Sequence, residues 1–123
     1  MGDHVDPGVF TLFPRGTDGH LEYLSRDGKW ICLGEVSHPL AIAGKLMEFL
    51  SSNHVSALRH RVTRAKGEND WRFSLPFTVI PRRETKLMPF NKFFTGFGEV
   101  CTGKEFMENY LREILMPDET IGF

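Results

Sequence analysis

The sequence predicts a mainly β chain, a sandwich or jelly roll of short strands followed by one C-terminal helix, and three features carry that prediction. Short runs of β-branched and aromatic residues recur at close spacing, separated by clusters of Gly, Pro, Asp and Ser. Two of these runs are joined by Ser25-Arg26-Asp27-Gly28, the strongest hairpin signal in the chain. Near the end, Thr102-Gly103-Lys104-Glu105 has the form of a capping box, a helix start.

In order along the chain, residues 9–13 read as a strand that stops at Pro14-Arg15-Gly16-Thr17-Asp18-Gly19, a dense group of turn formers. Residues 21–24 and 29–33 form the two arms of the hairpin, with Asp27-Gly28 expected to supply the positive φ angles of a tight primed turn. Residues 39–43 are a further apolar strand, ended by Gly44, and 45–50 are good helix formers for one or two helical turns. Residues 56–62 alternate, which places Leu58, His60 and Val62 on one face and Arg59 and Arg61 on the other. A polar loop at 63–70 precedes a long strand over 71–80. There Arg72, Ser74, Pro76 and Thr78 share a face opposite Trp71, Phe73, Leu75, Phe77 and Val79, and Pro76 points to a sheet edge or a bulge. The Phe- and Gly-rich stretch 89–98 reads as an ordered loop wrapping the body. The capped helix follows, with Phe106, Met107, Tyr110, Leu111, Ile114 and Leu115 on one face, and it should stop before Pro117.

Composition narrows the class. A chain of 123 residues suits a single domain, 1–123, able to bury roughly two-thirds of its unfolded surface. A hydrophobic content of 41% with 25% charged residues excludes disordered and fibrous classes. The formal net charge of −1 gives no general electrostatic reason to bind nucleic acid or an anionic membrane. Two cysteines, Cys32 and Cys101, do not make a disulfide framework. The N-terminus lacks a basic, then apolar, leader, and no apolar run is long enough to cross a bilayer, so a soluble cytoplasmic protein is expected.

The residues with chemistry are His4 and Asp6, a His-x-Asp pair, with His60 far downstream and Arg72-Phe73-Ser74 beyond it. In an extended segment the alternate positions 4 and 6 project from one face and can reach one ion. Two imidazoles and a carboxylate are the facial set that holds Fe(II) and leaves positions open. The pair alone is a weak signal, since one such match arises by chance roughly one time in four in this composition. The plainer reading of His4 and Asp6 is a solvated tail. Arg72 and Ser74 likewise admit two readings, the solvent face of a strand whose aromatic side is core, or an inward pair that grips a carboxylate. His20, His38 and His54 lie beside turn signals and are read as surface residues. The segment 90–97 reads as packing rather than a substrate lid, and Arg82-Arg83 as a solvated strand end.

The order of these elements adds specificity. His4-Val5-Asp6-Pro7-Gly8-Val9-Phe10-Thr11-Leu12, the hairpin ending Asp27-Gly28-Lys29-Trp30-Ile31, the segment from Ala43-Gly44 to Asn53, then Leu58-Arg59-His60-Arg61-Val62 and Arg72-Phe73-Ser74-Leu75-Pro76-Phe77 follow one another in the chain. Together they resemble the C-terminal catalytic region of the isopenicillin N synthase-like 2-oxoglutarate/Fe(II) dioxygenases, over residues 4–81, with the loop and helix at 82–123 beyond. The resemblance implies an incomplete double-stranded β-helix, a cupin-like jelly roll. It also implies that His4, Asp6 and His60 bind iron, and that Arg72 with Ser74 holds the far carboxylate of 2-oxoglutarate. The implied activity is oxidation of a small organic substrate with release of succinate and carbon dioxide, and ascorbate is an accessory reductant that the family allows. In the family, Arg and Ser point into the barrel and the aromatic side is covered by helices.

The family's helices and first barrel strands before the His-x-Asp motif, with an upstream Tyr and Asn, have no counterpart here. The expectation is therefore an N-terminally truncated form that associates through an uncovered apolar face. The competing expectations are an Fe(II) oxidase with another co-substrate and a non-catalytic jelly roll that binds metal or a partner.

Overall fold

The computed structural model describes residues 2–63, 73–90 and 100–115. The fold is mainly β with a C-terminal helix, as the sequence predicts. The strands among the described residues are short: β1 (Phe10–Phe13), β2 (Thr17–Asp18), β3 (Leu21–Leu24), β4 (Trp30–Cys32), β5 (Glu35–Val36), β6 (Leu40–Ala43), β7 (His60–Val62), β8 (Phe77–Val79), β9 (Lys86–Leu87) and β10 (Cys101–Thr102). Helices α1 (Lys45–Leu50) and α2 (Gly103–Leu115) accompany them.

The first six strands form one long antiparallel hairpin folded across three sheets, with β2 and β5 pairing alone between the other two. β1 pairs with β6 and β2 with β5 in a continuous register, Phe10 opposite Ala43 and Thr17 opposite Val36. β3 and β4 continue the hairpin, but Glu22 now faces Cys32, so the first arm has gained one residue between Asp18 and Glu22. Such an extra residue is a bulge, which bends the ribbon and sharpens its twist. Gly16, Gly19 and Gly34, with φ of 72°, 89° and 77°, sit at this bend. A side chain at Gly16 would strike the carbonyl oxygen of Val36, so Gly is required there. The bend sends β1 and β6 into one three-stranded sheet, β6-β1-β8, and β3 and β4 into another, β4-β3-β7.

The hairpin tip differs from the expected primed turn. Among the described non-glycine residues only Ser52 and Asn53 have positive φ, so Asp27 does not, whereas Gly28 has φ of 80°. The Gly28 amide donates to the Ser25 carbonyl at 3.0 Å, and the Ser25 amide donates to the Lys29 carbonyl at 2.8 Å. This is a three-residue loop, a type I turn closed by one left-handed glycine. Asp27 accepts a hydrogen bond from the Ser25 hydroxyl instead of adopting a strained backbone.

β7 and β8 are shorter than the runs expected for them, and β9 and β10 fall where no strand is expected. The alternating run 56–62 is ladder-paired only as His60–Val62, against Leu21–Tyr23 of β3. Among the described residues of the run 71–80, which are 73–80, only Phe77–Val79 form a strand, after Pro76, at an edge of its sheet. Thr78 lies opposite buried Thr11, with their hydroxyls 3.2 Å apart, but residues 73–80 are exposed on both faces, Phe73 by 81%. The reading of that aromatic side as core is thereby corrected. The polar loop 63–70 beyond Thr63, Trp71, Arg72 and most of the Phe-rich stretch 89–98 lie outside the described residues.

The core is small and sits under the bend and α1: Phe13, Leu21, Ile42, Leu46 and Leu87 are buried, Leu46 completely. Helix α1 is tied to its surroundings at its start. Its first amides, Lys45 and Leu46, donate to the carbonyls of Asp6 and Gly8 at 2.7 and 3.1 Å, which satisfies donors that a helix start leaves open. A side chain at Gly44 would lie 2.2 Å from the Gly8 carbonyl oxygen, so a glycine permits this approach. Helix α2 begins with the predicted capping box. The Glu105 carboxylate accepts from the Thr102 amide at 2.7 Å, and the Glu105 amide donates to the Thr102 hydroxyl at 3.3 Å. The predicted apolar face is only half used: Phe106 packs on Phe49 with ring centroids 5.7 Å apart, whereas Leu111, Ile114 and Leu115 are exposed. Helix α2 rests on α1 rather than on a broad sheet, which explains the difference. No helix among the described residues is long and apolar enough to cross a membrane.

Glu48 joins α1 to the segment leading into β7, accepting from Lys45 Nζ at 2.7 Å and from the Ala57 amide at 2.8 Å. Burial pushes its carboxyl up, but the Lys45 and Ala57 hydrogen bonds outweigh this and hold it below its ordinary value of 4.5. A depressed carboxyl stabilises the fold above its unfolded value, and that contribution is lost as pH falls through the folded value. Glu48→Gln is therefore expected to cost on the order of 1.5 kcal/mol near neutral pH. The difference in thermal midpoint from the parent should shrink on acidification below about pH 4. A difference that stays constant down to about pH 3 would show that the charge on Glu48 is not what matters.

Candidate metal centre

Strand pairing assembles the site. His4 lies directly opposite His60 in an isolated antiparallel bridge on the edge of β7 away from β3. The His4 amide donates to the His60 carbonyl and the His60 amide to the His4 carbonyl, both at 3.0 Å. Directly opposed residues of an antiparallel pair point to the same face. The imidazoles accordingly stand side by side, with centroids 4.4 Å apart and planes tilted by 54°. Asp6, two residues beyond His4, emerges on that face as well. Its Oδ1 is 3.3 Å from His4 Nε2 and 3.8 Å from His60 Nε2. One donor atom from each residue lies within 4.8 Å of the other two, and this trio is the single such group of His, Cys, Asp or Glu among the described residues.

The hydrogen bonds behind the donors prepare them for a cation. His4 Nδ1 lies 3.0 Å from the Gly2 carbonyl oxygen, and His60 Nδ1 lies 3.0 Å from that of Leu58. A carbonyl only accepts, so each Nδ1 carries the proton, and in the neutral ring the lone pair is left on Nε2. Both Nε2 atoms are those that approach Asp6 Oδ1. The second carboxylate oxygen of Asp6 accepts from the hydroxyl of Thr11, and Thr11 Oγ1 is also 3.2 Å from Thr78 Oγ1. One Asp6 oxygen is thus committed to the protein and the other is aimed at the imidazoles.

The donor set fits a divalent transition metal: two borderline nitrogens and one hard oxygen, with one negative charge to offset two positive ones. With metal–donor bonds of about 2.1 Å, adjacent octahedral donors lie about 3 Å apart. The two oxygen–nitrogen separations exceed that by under 1 Å. His60 is buried and Asp6 nearly so, while the His4 side chain is 33% exposed, so the group is open on the His4 side.

Of the residues expected to bind 2-oxoglutarate, Arg72 lies outside the described residues. Ser74 is exposed and, with Phe13, Thr17, Val36, Phe73 and Phe77 among its neighbours, lines a groove of about 910 Å³ at the end of the β6-β1-β8 sheet. Three supporting residues have no sequence signal. Thr11 is a threonine in a short strand, and only its pairing with Thr78 marks the inward face. Arg59 Nε contacts Asp3 Oδ2 at 2.6 Å beside the His4–His60 bridge, an exposed ion pair whose guanidinium holds the Asp3 carboxyl below its usual range. Tyr110 of α2 donates through its hydroxyl to the Val5 carbonyl at 2.6 Å, across 105 residues of sequence.

No protein-family model matches the chain, and no curated protein matches it. Solved structures do. A protein of Caulobacter crescentus described as belonging to the 2OG-Fe(II) oxygenase family superposes with a TM-score of 0.79 at 29% identity, over 92% of this chain and 40% of that one. A full-length Neurospora crassa protein in complex with alpha-KG gives 0.72 at 20% identity, over 89% of this chain and 36% of that one. A protein of Shewanella oneidensis described as an oxygenase gives 0.71 at 19% identity, over 94% of this chain and 40% of that one. The chain therefore spans about two-fifths of the length of these structures. Its β architecture and C-terminal helix match part of the double-stranded β-helix of the 2OG-Fe(II) oxygenases.

Proposed function

We propose that the chain is the metal-binding part of a 2-oxoglutarate/Fe(II)-dependent dioxygenase of the isopenicillin N synthase-like kind, acting on a small organic substrate. The observation that supports this most strongly is the convergence of two Nε2 atoms and one carboxylate oxygen on a fold shared with part of such enzymes. Fe(II) bound with 2-oxoglutarate and oxygen supplies oxidation of a substrate coupled to release of succinate and carbon dioxide.

In this reading the protein's own residues do four things. His4 and His60 present Nε2 lone pairs because the Gly2 and Leu58 carbonyls hold the Nδ1 protons. Asp6 brings the charge, and Thr11 fixes its carboxylate so that one oxygen faces the imidazoles. Buried His60 and Thr11 keep water from one side of the group, while the His4 side admits ligands. Arg72 grips the far carboxylate of 2-oxoglutarate through two parallel charge-assisted bonds, with the Ser74 hydroxyl adding a third. An Fe(II) oxidase using another co-substrate would keep the first three roles and drop the fourth.

A second reading has its own support: Phe73, Leu75, Phe77, Val79 and Ile80 are exposed. It is a jelly roll that holds metal or a partner, without turnover, and associates through that apolar side.

Anaerobic titration with Fe(II) is expected to show one site per chain, abolished in His60→Ala. Succinate should appear when 2-oxoglutarate and oxygen are then supplied. Tight metal binding without succinate from folded protein removes the 2-oxoglutarate reading and leaves the oxidase and the second reading, and absence of binding leaves only a partner-binding jelly roll. Within the first reading, Arg72→Ala should weaken 2-oxoglutarate about tenfold to a hundredfold through loss of a bidentate ion pair, with Fe(II) affinity unchanged. Equal co-substrate affinity in the variant, measured by metal-to-ligand absorption, would take the carboxylate grip away from Arg72.

A further inference from the structure

We infer that Tyr110 of α2 is a positioning residue for the metal centre, setting the spacing of His4 and Asp6 by holding the carbonyl of the residue between them. The inference rests on the metal-binding reading of the trio.

Val5 is flanked by two of the three donors, so a displacement of its peptide plane rotates both side chains. The His4 side is fixed by the bridge to His60. On the Asp6 side the next carbonyl is fixed by the Lys45 amide. Between those two anchors, the Val5 carbonyl accepts from the Tyr110 hydroxyl at 2.6 Å. The donors therefore hang on three successive restraints, from β7, α2 and α1, and the one from α2 is a single side-chain hydrogen bond.

The surroundings of Tyr110 suit that role. The ring is half-buried, and its neighbour one turn back, Phe106, packs on Phe49 of α1. The capping box fixes the start of the helix that carries both. The Tyr110 phenol is a donor at neutral pH at its ordinary value of 10.0, and burial, and after it the negative charges of Asp6 and Glu113, push it higher still. The groups facing the hydroxyl from the packed elements are thus Asp6 and, on its own helix, Glu113, with Lys45 and Glu48 of α1 lining the adjoining cleft.

The consequence is a site whose affinity depends on a helix that contributes no ligand. Tyr110→Phe keeps the ring and its packing and removes only the donor.

The test uses Co(II) as the probe, because its visible bands report both affinity and donor geometry. Tyr110→Phe is expected to weaken Co(II) about fivefold to tenfold and to shift the bands of the bound ion. Phe106→Leu, which loosens α2 on α1 but keeps the hydroxyl, should lower the thermal midpoint and weaken Co(II) clearly less than Tyr110→Phe does. Equal affinity and spectrum in Tyr110→Phe and the parent would overturn the inference. So would a Phe106→Leu loss as large as that of Tyr110→Phe, because helix docking in general would then be the cause. If the parent itself binds no Co(II), the metal reading fails first, a distinguishable result. Should Tyr110→Phe not fold, 3-fluorotyrosine replaces tyrosine in a Tyr23→Phe background. Its stronger donor is expected to tighten Co(II) on the order of twofold, and no change relative to Tyr23→Phe alone would overturn the inference.

Discussion

Everything at the candidate centre depends on one backbone pairing, the reciprocal hydrogen bonds between His4 and His60. Antiparallel opposition decides that the two imidazoles share a face, and the two-residue period of an extended chain then delivers Asp6 to the same place. A slip of one residue would send His4 to the opposite face and break the trio at once. Short-range interactions guard the register: Arg59 pairs with Asp3 next to the bridge, and His60 is itself paired to Tyr23 of β3. The exposed ion pair contributes little to stability. Its use is in specifying which residue of the N-terminal segment meets His60.

The bent hairpin explains why the pairing can form. β1 and β3 belong to one arm of the ribbon but lie in different sheets, and the chain entering β1 pairs through His4 with the edge of β7. Pro7-Gly8 makes that passage, with Gly8 against the Val79 backbone and Gly44 against Gly8, contacts too close for a side chain. Helix α1 follows β6 immediately and turns its first amides onto the Asp6 and Gly8 carbonyls. The packing that holds the ligand segment is thus mostly backbone against backbone, with glycines where the approach is tightest. Hydrophobic burial contributes through Leu46, which anchors α1 beneath the same crossing.

Much of this is legible in the sequence, and the limits of what it reveals have physical causes. The hairpin at Asp27-Gly28, the capping box at Thr102 and the candidacy of His4, Asp6 and His60 are local or motif-borne signals, and the structure forms the first two and gathers the third. The turn type comes out differently because Asp-Gly serves both a primed turn and a type I turn with a left-handed glycine; the hydrogen bond from Ser25 to Asp27 favours the second. The folded ribbon is not legible at all, since two-residue strands such as β2 and β5 carry no periodicity. Nor is the role of Tyr110, which looks like one more residue of an apolar helix face until the fold brings it to Val5. Alternation continues on both sides of Pro76, whereas among the described residues 73–80 only 77–79 reach the ladder on β1.

The asymmetry of the centre bears on what it can do. A trio buried on all sides would favour a permanently closed structural ion, while three fully exposed donors would hold a metal weakly and let water compete at every position. Here His60 and Thr11 are buried, and His4 is a third exposed. The protein side is preorganised, with each Nδ1 and the second oxygen of Asp6 already bonded to fixed groups. Binding an ion on such a group requires little reordering of the donors, and the unprotected side leaves coordination positions for small ligands. That combination is what the proposed exchangeable metal would need and what a purely structural one would avoid, so the shape of the site supports the proposal on grounds separate from the fold.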